Sequence, residues 1–303
     1  MDRRVSAVDL MLLGTVLLWA LNVTATRYAL THGFRPLAYG TVRYFAATAL
    51  FWCFTWQRER SFRIRLADWK LVALAATLLF ANQVCFVVSV HETNASTVAL
   101  MLGATPVITG VIASLIGLES LARSFWLGAA VAFVGVGLVA TGGGGVSGNP
   151  GGDVLAIFAA VTWAGYSVAI APLMRRYSPF RISALVLALG WLPLALVSIP
   201  QLEQQQWDGF GWPVWLALGY AIIGPLFLTN ILWFTAIDRV GPSRATLFTN
   251  LQPFFAVLFA LVLLSEHLNR WEIVGAFAIA TGILLERLRR REPQHAPVGA
   301  GTE

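Results

Sequence analysis

The sequence predicts an all-α polytopic membrane protein, ten transmembrane helices arranged as two inverted five-helix repeats. Three observations carry this expectation. Hydrophobic residues make up 57% of the chain and charged residues 12%, about half the charge of an ordinary soluble domain. The apolar residues fall into runs of about 18 to 24, long enough to cross a hydrocarbon core of ~30 Å as helices. The second half of the chain repeats the punctuation of the first. Alternating strands of about ten residues, the mark of a membrane β-barrel, do not occur in the sequence.

The spans follow in order. Span 1 (9–30) opens on Asp9, a carboxylate suited to the positive end of the helix dipole. Its Thr15, Trp19, Asn22 and Thr26, at steps of 4, 3 and 4, share one face. It lacks a small-residue cleavage site and further spans follow, so it reads as a retained helix, not a signal peptide. Span 2 (36–56) contains Arg43, and span 3 (69–90) carries Asn82 and Gln83. Span 4 (95–117) holds Thr97, Met101 and a mid-span Pro106, and span 5 covers 124–141. A Gly-rich stretch, TGGGGVSGNPGGD, then reads as a linker over 142–152. It has no Lys for a GxxxxGK[ST] phosphate loop, so ATP hydrolysis is not expected. Span 6 (153–174) opens on Asp153 and carries Trp163 and Tyr166; span 7 covers 181–200. Span 8 (213–236) has Tyr220, Phe227, Asn230 and Trp233. Span 9 (243–265) has Thr246, Asn250, Gln252 and a mid-span Pro253; span 10 (271–288) leads into a basic tail, 289–303. Cys53 and Cys85 lie inside apolar runs and read as packing residues.

The basic residues sort by side. Seventeen Lys/Arg fall on the side of the termini, three (Arg27, Arg35, Arg270) on the other, and Arg43 within a span. The positive-inside rule then puts both termini in the cytoplasm. The net charge of +6 is a topology and lipid-surface signal; a nucleic-acid partner is not expected.

A shift of 147 residues lays Ser96 on Ser243, Pro106 on Pro253, Glu119 on Glu266, Arg123 on Arg270, Gly128 on Gly275 and Gly135 on Gly282. A shift of 144 lays Asp9 on Asp153 and Trp19 on Trp163. The repeats are 9–141 and 153–288. Five helices is an odd number, so the copies insert in opposite senses. Inverted repeats are an architecture of secondary transporters, with the substrate near the midplane between the halves.

"LLWALNVTATRYAL", "TPVITGVIASLIGLESL" and "QPFFAVLFALVLLSEHL" resemble the EamA-type branch of the drug/metabolite transporter superfamily over about residues 9 to 290. Within it the chain is similar to the YddG-type aromatic amino acid exporters. The resemblance implies export of small neutral, amino-acid-like metabolites across a bacterial inner membrane, without enzymatic activity or cofactor. The same fold exporting a nucleoside, Thr or homoserine, a Cys precursor or a drug is the alternative. No carboxylate falls at a midplane, which points to facilitated diffusion rather than proton coupling.

The expected substrate path is lined by Trp19, Asn22, Asn82, Gln83, Met101, Trp163, Tyr166, Asn230, Trp233 and Asn250. Trp19 and Trp163 each lie ten residues past an Asp that opens the span, which is ~15 Å, the middle of the core. Helix packing is the competing use for the tryptophans, and interhelical hydrogen bonding for the amides. Arg43 is expected to snorkel or bond a carbonyl, or else to contact a substrate carboxylate. Pro106 and Pro253 should kink their helices, as paired hinges for alternating access or else as static bends. Glu119 and Glu266 are expected to hold the free amides of the helix that follows each, with a gate or coupling role as the alternative. The partners are a small-molecule substrate and membrane lipid, no metal site is expected, and a monomer of ten spans can enclose a cavity.

Overall fold

Residues 7–117, 123–142, 149–240, 248–249 and 251–289 are described in the structure, a computed structural model; for 123–124, 140–142, 234, 237–240 and 283–289 the backbone alone is described. Every regular element among them is a helix. In chain order these are α1 (Ala7–Thr31), α2 (Pro36–Glu59), α3 (Trp69–Glu92), α4 (Ala95–Leu102), α5 (Thr105–Leu115), α6 (Arg123–Gly142), α7 (Pro150–Met174), α8 (Pro179–Glu203), α9 (Trp212–Ile222), α10 (Thr229–Val240), α11 (Gln252–Leu263) and α12 (Arg270–Arg289). A one-turn 3-10 helix, Leu66–Asp68, precedes α3, and a π-helical segment, Ile223–Leu228, joins α9 to α10.

Local chemistry sets many of these ends. A Pro sits in the first turn of α2, α5, α7, α8, α9 and α11, where its missing N–H costs nothing. The side chains of Asn149 and Ser178 cap α7 and α8, accepting from Gly151 N and Arg181 N. α1 stops at Gly33, whose φ of 100° lets Phe34 N return to Ala29 O, a closure that favours Gly.

Six stretches are long and apolar enough to cross a membrane: Ala7–Thr31, Leu66–Glu92, Ala95–Leu115, Pro150–Met174, Pro179–Glu203 and Trp212–Trp233. Phe125–Val139 and Gln252–Leu263 are shorter apolar helices. α2 is helical through the whole expected second span, with Arg43 inside it. Large side chains such as Leu127, Val134, Leu196 and Phe277 stand exposed on the surface, as expected where hydrocarbon is the solvent.

Two expected spans are not single α-helices. Span 4 breaks at Gly103–Ala104, so Pro106 heads a new helix instead of kinking an old one. Pro253 likewise stands in the first turn of α11. The two features meet, since a Cβ on Gly103 would lie 3.1 Å from Pro253 Cβ. Span 8 widens to the π segment around Pro225, because Pro has no N–H for the carbonyl one turn back.

Several helix pairings recur when the sequence shifts are applied. α3 lies on α7, and its counterpart, the α9–α10 run, lies on α1. α4 and α5 lie on α7, and α11 lies on α1. α2 packs on α8, antiparallel, with Leu37 N bonded to Gln201 Oε1 at 2.8 Å, Thr41 Oγ1 to Ser198 Oγ at 2.6 Å and Trp52 Nε1 to Ala184 O at 3.0 Å. α6 and α12 touch backbone to backbone. A Cβ on Gly135 would meet Gly275 O at 2.7 Å, and one on Gly282 would strike Gly128 O. Small residues allow this approach.

Candidate functional site

The chemistry-bearing side chains gather where α1, α2, α3 and α7 converge. Arg43 lies seven residues into α2, ~10 Å from its start, and is 1% exposed. It does not snorkel; the carbonyl oxygens it bonds are those of side-chain amides. Its Nη1 donates to Asn22 Oδ1 at 3.2 Å and its Nη2 to Gln83 Oε1 at 2.5 Å. Gln83 Nε2 donates to Asn82 Oδ1 at 3.0 Å, and Asn82 Nδ2 to Ala159 O of α7 at 2.8 Å. The reason is reach. Three amide side chains on α1 and α3 stand closer to the guanidinium than the aqueous end of α2, and an amide in hydrocarbon itself needs a partner. Tyr39, Tyr44 and Phe86 set their rings 5.3 to 5.7 Å from Arg43 Cζ, within cation–π range.

A second group is aromatic. Trp19 is 12 residues from either end of α1. Its Nε1 donates to Pro225 O at 3.3 Å, and its ring lies 5.4 Å from that of Trp233. Tyr220 OH donates to Leu18 O at 2.7 Å. The face expected to line a cavity therefore docks α1 on the π segment at Trp19. On α7, Trp163 is 38% exposed and lies 5.3 Å from Tyr166; Tyr166 packs into the cluster that buries Tyr44. Met101, on α4, is 1% exposed and part of the core that includes Tyr39 and Phe86. Asn230 is apart from the Arg43 network, its Nδ2 donating at 2.6 Å to Leu226 O of the π segment that precedes α10. Asn250 lies outside the described residues, as do Glu119, Thr246 and most of the basic tail.

The end of the bundle holding the α1–α2 turn is tied across the halves. Glu266 does not cap the helix that follows it. It crosses to α4 and accepts from Ala95 N and Ser96 N, both at 2.9 Å, and from Ser96 Oγ at 2.6 Å. The next helix, α12, is served instead by Asn269 Oδ1, which accepts from Glu272 N, while Glu272 Oε2 accepts from Asn269 N. That reciprocal pair leaves Glu266 free for α4. Glu272 is itself buried and accepts from Thr97 Oγ1 at 2.7 Å. Asp153 is likewise buried and accepts from Thr93 Oγ1 at 2.9 Å. Arg27 donates to Val90 O and His91 O, the last carbonyls of α3. A cavity of about 350 Å³ opens here, lined by Leu30, Phe34, Arg35, His91, Glu92 and Gln201 among others. None of the residues lining it belongs to the Arg43 network or the tryptophan groups. The opposite end is fastened by Arg181 on Glu59 at 2.7 Å and by Arg176 and Tyr177 on the buried Asp68.

Tyr39, Tyr44, Thr93 and Glu272 escape a reading of the sequence alone. Tyr39 carried a signal, four residues before Arg43 and so on the same helix face. Thr93 carried none.

Comparison with known proteins gives one consistent result. The pattern of the EamA-like transporter family matches residues 6–141 and again residues 150–286. The uncharacterized inner membrane transporter YedA of Escherichia coli strain K12 is 27% identical over 87% of this chain and 86% of its own. The uncharacterized transporter YyaM of Bacillus subtilis strain 168 is 24% identical over 70% and 71%. A solved crystal structure superposes with a TM-score of 0.65 over 94% of this chain and 99% of that one, at 20% identity, which is a likeness of fold.

Proposed function

Because the chain belongs to the EamA-like transporter family, we infer that it exports a small neutral or zwitterionic metabolite, an amino acid with an aromatic or apolar side chain, by alternating access. The protein is a membrane transporter. The proposal extends this to two oppositely inserted halves, both termini in the cytoplasm, and movement down the substrate gradient without ion coupling. The membrane named for the Escherichia coli relative supports an inner-membrane location.

One observation carries the mechanism. Gly135 approaches Gly275, and Gly128 approaches Gly282. The shift of 147 residues that aligns the halves turns the first pair into the second. Helices α6 and α12 are therefore sequence equivalents that cross antiparallel through exchanged pairs. Such contacts fit a two-fold axis perpendicular to both helices, which turns one half upside down relative to the other. Two halves of one design can trade conformations, opening a midplane site first to one side and then to the other. The break at Gly103, pressed on Pro253 in the first turn of α11, supplies a joint between the halves.

The substrate reading rests on Trp19, Trp163, Tyr166 and Trp233, which offer aromatic surface near mid-depth. It is tested with purified protein in liposomes, following uptake of labelled Phe, Trp, Thr and uridine with and without a pH gradient. Phe and Trp should enter at rates that ignore the gradient. Trp163→Ala should lower those rates about tenfold, as loss of one aromatic contact implies. Uptake that requires the gradient contradicts the uncoupled mechanism, and uridine uptake alone contradicts the substrate.

A further inference from the structure

We propose that Arg43 is the anchor for one carboxylate on the transported molecule, so that the cargo class is a small mono-carboxylate, zwitterionic or anionic, and carboxyl-free amines and amides are rejected. This rests on the transport reading and narrows it.

The first argument is charge. A guanidinium stays protonated, and a buried cation is costly unless an anion answers it. Arg43 is 1% exposed, yet among the described residues its side-chain partners are the neutral amides of Asn22 and Gln83, and the ion pairs lie elsewhere, at His91–Glu92, Arg176–Asp68 and Arg181–Glu59. The second is geometry. Arg binds a carboxylate side-on through Nε and the Nη beside it. Here Gln83 Oε1 holds Nη2, and Nε has no partner. An amide oxygen fills one tine of the fork and the other is empty. A carboxylate completes the fork by displacing one amide oxygen, and the rings of Tyr39, Tyr44 and Phe86 keep water away and strengthen the pair. The third is asymmetry. Register set by Pro36 and Pro179, the heads of α2 and α8, aligns Arg43 with Val186. The repeat shifts align Asn22 with Tyr166 and Gln83 with Asn230. The architecture is shared by both halves, but the charge is not, so packing symmetry does not account for it.

The experiment is binding and counterflow with matched pairs that differ only at the carboxyl: phenylalanine and phenylalaninamide, leucine and leucinamide, benzoate and benzamide. Binding is read as ligand-induced thermal stabilisation of the detergent-purified wild type. The expected result is that acids bind and drive counterflow while their amides bind on the order of tenfold to a hundredfold more weakly, the worth of a charge-assisted pair. Arg43→Gln should erase the acid-over-amide preference, and Arg43→Lys should keep part of it. Amides that match their acids in the wild type overturn the proposal, even where phenylalanine is transported. Absence of binding by every acid overturns it too. Benzoate binding without phenylalanine or leucine binding upholds Arg43 and removes the amino acid reading. The wild-type comparison decides the matter should either variant fail to fold.

Discussion

Glu266 holds the first amides of a helix 170 residues earlier in the chain. Three donors converge on one carboxylate, the backbone amides of Ala95 and Ser96 and the Ser96 hydroxyl, and both residues are buried. Glu266→Ala leaves those donors unanswered and should lower stability by about 2 kcal/mol. Glu266→Gln keeps an acceptor and should lower it by roughly half as much. Thermal unfolding in detergent, followed by tryptophan fluorescence, measures both; equal losses would mean that bulk, not hydrogen bonding, holds α4. The same scale shows what sequence alone can and cannot reveal. Arg43 stands out as a charge in an apolar run, and Tyr39 shares its face by spacing. Its partners, Asn22 and Gln83, sit on α1 and α3, and only tertiary packing brings them to it. Glu266 stands out by its repeat with Glu119. Its real target is hidden because Asn269 and Glu272 already complete the start of α12.

Among elements, the closest approach is α6 on α12. A side chain at Gly135 has no room, since its Cβ would sit 2.7 Å from Gly275 O and 2.8 Å from Ile279 N. Gly135→Val must push the helices apart at the cost of overpacking, ~1–3 kcal/mol. Gly137, on the same helix with open space around it, is the control, and Gly137→Val should cost less than half as much. Both are read by the same unfolding assay. The broken spans give an element-scale prediction about function. Pro253 is in the first turn of α11, where Ala is tolerated, so Pro253→Ala should change stability by less than about 1 kcal/mol. It also restores a backbone donor that can extend the helix across the joint, and transport should slow several-fold. Unchanged transport would make the break a static feature. Pro106 announces a disruption in span 4, but not its form. The form follows from Gly103 packing on Pro253, a contact between spans that spacing does not encode. The π segment had a plainer sign, the Gly224–Pro225 pair inside span 8.

For the molecule as a whole, the repeat was the most legible property, because it is written as paired Pro, Glu, Arg and Gly at one constant shift. The family pattern matches two stretches, residues 6–141 and 150–286, and α3 lies on α7 while the α9–α10 run lies on α1. Depth and charge in the central network were less legible, since they depend on how four helices lean together. Opposite insertion of the halves is the claim on which alternating access depends. Its most direct measurement is the sidedness of two equivalent connections. Single cysteines replace Ser61, between α2 and α3, and Asp208, between α8 and α9, in a chain whose Cys53 and Cys85 are both changed to Ser. Each is labelled with a membrane-impermeant maleimide in intact and in permeabilised cells. The account predicts that the Asp208→Cys protein labels in intact cells and the Ser61→Cys protein labels only after permeabilisation. Both cysteines reacting from the same side would contradict it.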